Sequence, residues 1–241
     1  MQKYNRLFLS SMWTVTLFLL TANQSLAGLL ETGFEASYEV SHNGIYLGDS
    51  VRNLENKDQQ SRVYRSHTSP KGLVKAFVSD IIDETSHISR HRSDLRPTEY
   101  QYHQHSGKKE QKFTIHFDWQ AKTITNTYRQ KTYPLTAGTH DLLSFQIQLM
   151  LDMQAGKKQV TYTIADKKRV DDYHLQRTGT DTIETPMKTF TATKLVSNKI
   201  RDKMQFIIWC APELGYLPVK VMKIEEDGDE SVMLIKSLKL K

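Results

Sequence analysis

Three residue types used in nucleophilic catalysis occur close together in this chain, at His140, Asp141 and Ser144. A serine nucleophile needs a histidine base and a carboxylate that orients the base, but such triads assemble from distant segments of a chain. Ser144 also lacks the surrounding Gly-x-Ser-x-Gly sequence that holds a nucleophile on a sharp turn. We therefore interpret these residues as the start of a helix, and we predict no catalytic residue and no enzyme activity.

Two pairs of histidines have spacings that are compatible with zinc binding. His103 and His105 would share one face of a strand, and His87 and His91 could share a face of a strand or a helix. Neither pair belongs to a His-Glu-x-x-His sequence. The acidic run over 225–230 is too short for a calcium-binding EF-hand loop and suits a hairpin turn. We predict exposed histidines, with no metal site and no cofactor.

The single cysteine, Cys210, alternates in phase with Met204, Phe206 and Ile208. This pattern predicts a buried thiol on the inner face of a strand, where its role is packing. One cysteine also excludes an intramolecular disulfide, so the fold must be stabilised by its apolar core.

The segment 141–155 differs from its surroundings and predicts one long apolar helix. Possible capping residues precede it at 139–141, and Gly156 follows it as a favoured helix stop. Its polar residues form a narrow stripe and apolar residues cover most of the remaining circumference, so the helix needs burial on several sides. It either braces the concave side of a sheet, which is the commoner arrangement, or covers an apolar cavity.

Gln146 lies in the middle of the apolar arc of this helix. A buried, unpaired amide costs about 1 to 3 kcal/mol, so Gln146 should have a backbone, water or ligand partner. Trp209 and Tyr216 belong to a rigid corner with Pro212 and Pro218, and they either cap the core or line the mouth of a cavity. With the apolar residues of inner strand faces, they give a predicted ligand-binding set of Gln146, Phe145, Leu149, Trp209, Tyr216, Phe113, Ile115, Phe117, Met204, Phe206 and Ile208.

The first 27 residues have the pattern of a signal peptide. Lys3 and Arg6 precede an apolar run over 7–20, and the small residues of Ser25-Leu26-Ala27 suit signal peptidase. The run is shorter than the roughly 20 residues that span a bilayer core. We expect cleavage near Ala27 and an exported, periplasmic protein that is not integral to a membrane. No cysteine lies near the cleavage region, so we predict that the protein is not a lipoprotein.

Residues 28–241 have the size and composition of a single β-rich domain. The whole chain carries a formal net charge of +6, and its basic residues are scattered among acidic ones. This distribution is typical of a solvated surface rather than a nucleic-acid track, and we predict no nucleic-acid partner.

Alternation of apolar and polar residues with period two dominates the domain and predicts strands. Phe34, Ala36, Tyr38 and Val40 alternate with polar residues, and His42-Asn43-Gly44 suits a tight hairpin turn. About a dozen such strands favour a mainly β fold, a curled antiparallel meander that forms a barrel-like or open spiral sheet or a sandwich. The further predicted strands are 60–68, 81–90, 98–105, 111–119, 122–129, 158–165, 169–177, 188–197, 203–210, 217–225 and 231–240.

Several segments occur in an order shared with a known family. They are the Phe34–Asp49 hairpin, Asp118-Trp119, Asp141-Leu142-Leu143-Ser144, Ile183-Glu184-Thr185-Pro186 followed by Thr189-Phe190-Thr191, and the Trp209–Val219 corner. This order resembles the bacterial exported family catalogued as domain of unknown function 3108, over essentially the whole of 28–241. The resemblance implies a periplasmic, barrel-like β protein of Gram-negative bacteria, and it supplies no catalytic residues.

Three hypotheses for function follow. The first is a non-catalytic binding or carrier protein for a lipid-like or other amphipathic molecule of the cell envelope. The second is a structural or interaction protein with a filled core, whose strand edges recruit an envelope protein partner. The third is a hydrolase of envelope polymers, which would need convergent carboxylates or a nucleophile-base pair.

Overall fold

A computed structural model describes residues 28–76, 79–92, 94–198 and 203–241. The predicted signal peptide over 1–27 therefore lies outside the described residues. Helices in the described ranges are all too short to cross a membrane. Strands dominate these ranges, as the period-two alternation predicts.

Fifteen strands of the described residues form one sheet. The first eight are β1 (Phe34–His42), β2 (Ile45–Asn56), β3 (Ser61–Pro70), β4 (Asp80–His91), β5 (Asp94–Ser106), β6 (Lys109–Asp118), β7 (Thr123–Asn126) and β8 (Lys131–Pro134). The others are β9 (Thr139–His140), β10 (Gln159–Ala165), β11 (Val170–Glu184), β12 (Thr189–Ser197), β13 (Gln205–Ala211), β14 (Leu217–Ile224) and β15 (Glu230–Leu240). The helices are α1 (Gly28–Thr32) and α2 (Ser144–Gln154), and short 3-10 helices cover Gly72–Ala76 and Pro212–Leu214.

Strands that follow one another in sequence are also neighbours in the sheet. The order runs from β8 back to β1, continues through the β1–β15 pair, and runs from β15 back to β9. All pairs are antiparallel except β9 with β10. Strands β8 and β9 form the two edges and do not pair, so the sheet is curled but not closed. The predicted antiparallel meander is confirmed in its open form.

The first hairpin has the turn that its sequence predicts. Asn43 and Gly44 have φ angles of 48° and 77°, so both residues of this two-residue turn are left-handed. This conformation matches the twist of the two flanking strands and favours asparagine followed by glycine. It fixes the register in which β2 presents its inner face.

The predicted long helix over 141–155 is wrong in its length. Helix α2 has 11 residues and begins at Ser144. The Asp141 carboxylate accepts the backbone N–H groups of Leu143 and Ser144, each at 2.8 Å, so the preceding residues form a capped turn. Gly156, with φ of 77°, follows the end of the helix.

The polar stripe of α2 is buried together with its apolar residues. The Gln148 side chain accepts the Leu95 N–H at 2.9 Å and donates to Asp152 at 3.0 Å. The Tyr162 hydroxyl donates to the other Asp152 oxygen at 2.7 Å. These bonds satisfy polar groups that burial would otherwise leave unpaired. They tie α2 to β5 and β10 inside the curl.

Helix α2 joins two apolar clusters on the concave side. Ile147 and Met150 belong to the larger cluster, which includes residues of β1 to β7. Leu149 and Met153 pack in a second cluster with residues of β10 to β13. Cys210 is fully buried in that second cluster, and burial raises the pKa of its thiol. The predicted buried thiol is thus confirmed.

Candidate functional site

An apolar cavity of about 430 Å³ lies beside α2 on the concave side of the sheet. Its walls combine residues of β1, β2, β4, β14 and β15 with residues of α2, β10, β11 and β13. Cavities that bind small molecules have volumes of roughly 300 to 1,000 Å³ and mostly apolar linings with a few polar groups. This space has both properties.

Six residues of the predicted ligand-binding set line this cavity. Phe145, Gln146 and Leu149 contribute from α2, and Met204, Phe206 and Ile208 contribute from β13 and the segment before it. The period-two phase of β13 and the helical phase of α2 bring these side chains to one space. Their contact with a ligand stays a prediction.

Trp209 does not line the cavity; it is buried in the larger apolar cluster, which agrees with the alternative in which this residue caps the core. It follows Ile208 in β13, and adjacent strand residues point to opposite faces of the sheet. Its indole N–H donates to Asp181 at 2.8 Å. The ammonium groups of Lys194 and Lys220 lie 5.5 and 4.7 Å from its ring centroid.

Four other predicted residues also lie outside the cavity lining. Ile115 and Phe117 are buried in the larger apolar cluster, where they contact other core residues. Tyr216 packs against the second cluster from the corner after β13 and has a φ of 62°. Phe113 stacks on Tyr102 with ring centroids 4.9 Å apart. Inward-facing apolar residues look alike in sequence whether they fill a core or border a space.

A charged cleft of about 670 Å³ adjoins the apolar cavity. The two spaces share Leu142, Asp166, Met204 and Lys223. Phe113 lines this outer cleft. The charged residues around it that the cavity does not share are Lys167, Lys168, Arg169, Glu225, Glu226 and Asp227. An apolar space thus lies next to a strongly polar one.

Arg52 is the cavity residue that sequence analysis missed. It lies on β2 between Ser50 and Leu54, which are both buried on the same strand face. Its Nη1 donates to the Gln146 side-chain oxygen, and its Nη2 lies 3.4 Å from the Met233 sulfur. Its Nε is buried and has no hydrogen-bond partner in the part of the chain that the structure describes. The alternation with two inward residues is the sequence signal that could have revealed this inward cation.

Gln146 has the partners that its buried position requires. Its amide nitrogen donates to the Leu142 carbonyl oxygen at 2.7 Å, one helical turn earlier. Its amide oxygen accepts from Arg52. The prediction that this amide has a partner is confirmed, and of the alternatives left open the backbone carbonyl is the one observed. The amide also orients the guanidinium.

Glu84 lines the same cavity from β4. One of its oxygens accepts the Tyr100 hydroxyl at 2.5 Å, and burial together with this carboxylate raises the pKa of the Tyr100 phenol. In the described ranges, Arg52 and Glu84 do not approach each other within the 4.0 Å of an ion pair. Arg52 and Glu84 therefore interact only over a longer distance. The other charged residues of the lining are Asp166 and Lys223, and Lys223 pairs with Glu225 at 2.8 Å.

His140, Asp141 and Ser144 are all buried, and Asp141 and Ser144 form a hydrogen-bonded turn at the start of α2. The Ser144 hydroxyl accepts the Asp141 N–H at 3.0 Å, and the Asp141 carboxylate accepts the Ser86 hydroxyl at 2.6 Å. The His140 ring lies edge-on to Tyr162, with centroids 5.5 Å apart, and its Nδ1 is buried without a partner. Burial lowers the pKa of His140 to about 4.

Comparison with known sequences places the chain in a family. The family model for a protein of unknown function, DUF3108, matches residues 37–235. The chain belongs to the DUF3108 family. No curated protein matches this DUF3108 chain in sequence.

The DUF3108 chain is similar to solved structures to different degrees. A beta-barrel-like protein of domain of unknown function DUF1849 from Brucella abortus has a TM-score of 0.58 and 10% identity, over 87% of this chain and 98% of that one. The Pseudomonas aeruginosa MucA/MucB complex has a chain with a TM-score of 0.39 and 12% identity, over 89% of this chain and 53% of that one. The Brucella likeness shows a barrel-like fold.

A group of possible metal ligands in the DUF3108 chain lies on the β5–β6 hairpin. His103, His105 and Glu110 bring ligand atoms within 4.8 Å of one another there. The prediction that both histidines share a strand face is confirmed by their contact, with ring centroids 3.9 Å apart. Glu110 already pairs with Lys112 at 2.8 Å and with His103 at 2.6 Å, and these partners lower its pKa to about 2. We interpret the cluster as a surface ion-pair network.

Proposed function

We propose that this chain is a non-catalytic periplasmic protein that binds a lipid-like or amphipathic molecule of the cell envelope. The observation that carries the proposal is the apolar cavity beside α2. Residues from both halves of the curled sheet line this cavity, so the sheet as a whole encloses it. The cavity favours this hypothesis over that of an interaction protein with a filled core.

The lining is suited to a hydrocarbon chain. Leu149 and Ile208 are buried apolar residues of the lining, and Phe145 and Phe206 add aromatic surface. Burying apolar ligand surface there gains roughly 25 cal/mol per Å². The adjoining charged cleft offers a polar environment beside the apolar one, which is what an amphipathic molecule needs.

The periplasmic location rests on the sequence of 1–27. Its basic start, its apolar run and its small residues near Ala27 have the order of a secretory signal. A protein released into the periplasm would meet envelope lipids and their precursors. A container for such a molecule therefore agrees with the predicted compartment.

Native mass spectrometry of the mature chain, purified from a Gram-negative periplasm, tests this proposal. We expect a stoichiometric adduct, which solvent extraction and lipid analysis would assign to a chemical class. The variant Val221→Phe should reduce the adduct, because Val221 lines the cavity and pairs with the inward residues Ile208 and Met233 across the sheet. The matched variant Val51→Phe should retain it, since Val51 lies on the opposite face of β2 from Ser50 and Arg52.

Two results would count against binding in this cavity. One is a wild-type protein that stays free of adduct and also fails to take up added single-chain amphiphiles. The other is an adduct of equal abundance in the Val221→Phe and Val51→Phe proteins, which would locate the ligand elsewhere.

A further inference from the structure

We propose that Arg52 selects the ligand, and that the cavity takes a single-chain amphiphile whose acid group pairs with the Arg52 guanidinium. This inference rests on the proposed function and specifies its ligand class. A long-chain carboxylate is the molecule that fits best.

The hydrogen-bonding capacity of Arg52 is incompletely used. A guanidinium has five N–H donors, and those of Arg52 meet a neutral amide oxygen of Gln146, a thioether sulfur of Met233, which is a weak acceptor, and the neutral Tyr64 hydroxyl. Its buried Nε has no hydrogen-bond partner among the described residues. A cation in such a place loses hydration without gaining a paired anion. A carboxylate would supply the missing acceptor in the bidentate geometry that arginine favours.

The groups that face Arg52 from the neighbouring strands are neutral phenols. The guanidinium carbon lies 5.5 Å from the Tyr38 ring centroid, and the Tyr64 side chain also interacts with Arg52. Burial raises the pKa of both tyrosines, so they stay uncharged and do not neutralise the arginine. The positive charge is therefore available to a ligand.

Glu84 determines how much negative charge the head group can carry. It lines the same cavity and lies beyond ion-pair distance from Arg52 in the described residues. One of its carboxylate oxygens accepts the Tyr100 hydroxyl at 2.5 Å. A head group with two negative charges would meet repulsion that a singly charged carboxylate meets less. The pair of Arg52 and Glu84 thus favours a monoanion.

The remaining lining explains the single chain. Phe145, Leu149, Phe206, Ile208 and Val221 border the space around the polar group of Arg52 and Gln146. A cavity of about 430 Å³ lies toward the lower end of the range for small-molecule sites. It suits one hydrocarbon chain rather than a lipid with several.

Binding of palmitate and hexadecanol to the delipidated mature protein, measured by calorimetry, tests this inference. The two probes have the same chain length and differ in the acid group. We expect palmitate to bind the wild-type protein about tenfold more tightly than hexadecanol at neutral pH. Arg52→Met should abolish this preference while hexadecanol affinity changes little, and Arg52→Lys should restore part of it.

Glu84→Gln is the complementary variant, because it removes the opposing charge and keeps an acceptor for Tyr100. We expect it to strengthen palmitate binding and to leave hexadecanol binding unchanged. Since Arg52 stays in place, this variant also tests the inference if Arg52→Met fails to fold. Equal binding of palmitate and hexadecanol to the wild-type protein would refute the role of Arg52 and leave the proposed function intact.

Two further outcomes are distinguishable. If neither probe binds the wild-type protein, the proposed function and this inference both fail. If hexadecyl phosphate binds more tightly than palmitate, the carboxylate assignment is wrong and the head group is a phosphate.

Discussion

The Ser86 hydroxyl donates a 2.6 Å hydrogen bond to the Asp141 carboxylate. Ser86 belongs to β4 and Asp141 caps the turn before α2, so this bond fixes the helix to the first half of the sheet. Both residues are fully buried. Because α2 forms one wall of the cavity, the bond also holds that wall in position.

Ser86→Ala should lower the free energy of unfolding by about 2 kcal/mol, because a buried carboxylate loses a donor. Urea unfolding at neutral pH would measure the loss. Ser237→Ala is the matched control, since Ser237 is exposed and bonds to the Ser37 hydroxyl on the outer surface. The control should change stability by less than about 0.5 kcal/mol. Equal effects of both substitutions would contradict the role given to Ser86.

His140 should make the protein less stable as the pH falls. Burial lowers the pKa of His140 to about 4 from its ordinary 6.5, although the Asp152 charge opposes this shift. The contribution of His140 to the free energy of unfolding is complete above pH 6.5 and decreases toward pH 4. It decreases because the unfolded state binds a proton in this range and the folded state does not. The decrease amounts to about 3 kcal/mol.

His140→Gln removes this titration and keeps a polar side chain. We expect its unfolding free energy to fall less between pH 7 and pH 4 than that of the wild-type protein, whatever its stability at neutral pH. Burial raises the pKa of Asp141, so Asp141 stabilises the fold as the pH falls, and this opposite effect is common to both proteins. Parallel stability curves would show that His140 does not titrate as argued.

Leu149→Asp should destabilise the fold by more than about 4 kcal/mol, because it places a charge in a fully buried position. Thermal unfolding measures the effect. Ala155→Asp, at an exposed position just after α2, is the control and should cost no more than about 1 kcal/mol. An unchanged melting temperature for Leu149→Asp would mean that α2 is not buried.

The strands could be predicted from sequence because each buries one face, which leaves a period-two pattern in the chain. The pattern around Phe34 and the Asn43-Gly44 turn correctly predicts the first hairpin. The ends of α2 were harder to predict because Asp141 forms side-chain hydrogen bonds that replace the first helical turn. The two edge strands β8 and β9 are only four and two residues long and carry too few residues for a visible pattern.

The candidate site could be predicted only in part. Gln146 stands out in sequence because it is an amide in an apolar helical arc, and its partner was expected. Arg52 does not stand out, since β2 carries polar residues on both faces and Ser50 is buried beside it. The strand face of Trp209 could not be predicted, because aromatic residues occur on either face of a strand. Its surroundings are determined by the lysines that lie opposite it on the two neighbouring strands. Pairing across the sheet supplies this information, and a single strand does not contain it.

The pairing of β1 with β15 has a consequence for the order in which the chain folds. A chain that is synthesised from its N-terminus can form the hairpins of β1 to β8 early, but β1 must wait for almost the entire chain before its second neighbour is made. Until then β1 presents an open edge that could pair with another chain. The cavity has walls from β1 and β2 and from β14 and β15, so the capacity to hold a ligand should arise in the last step of folding.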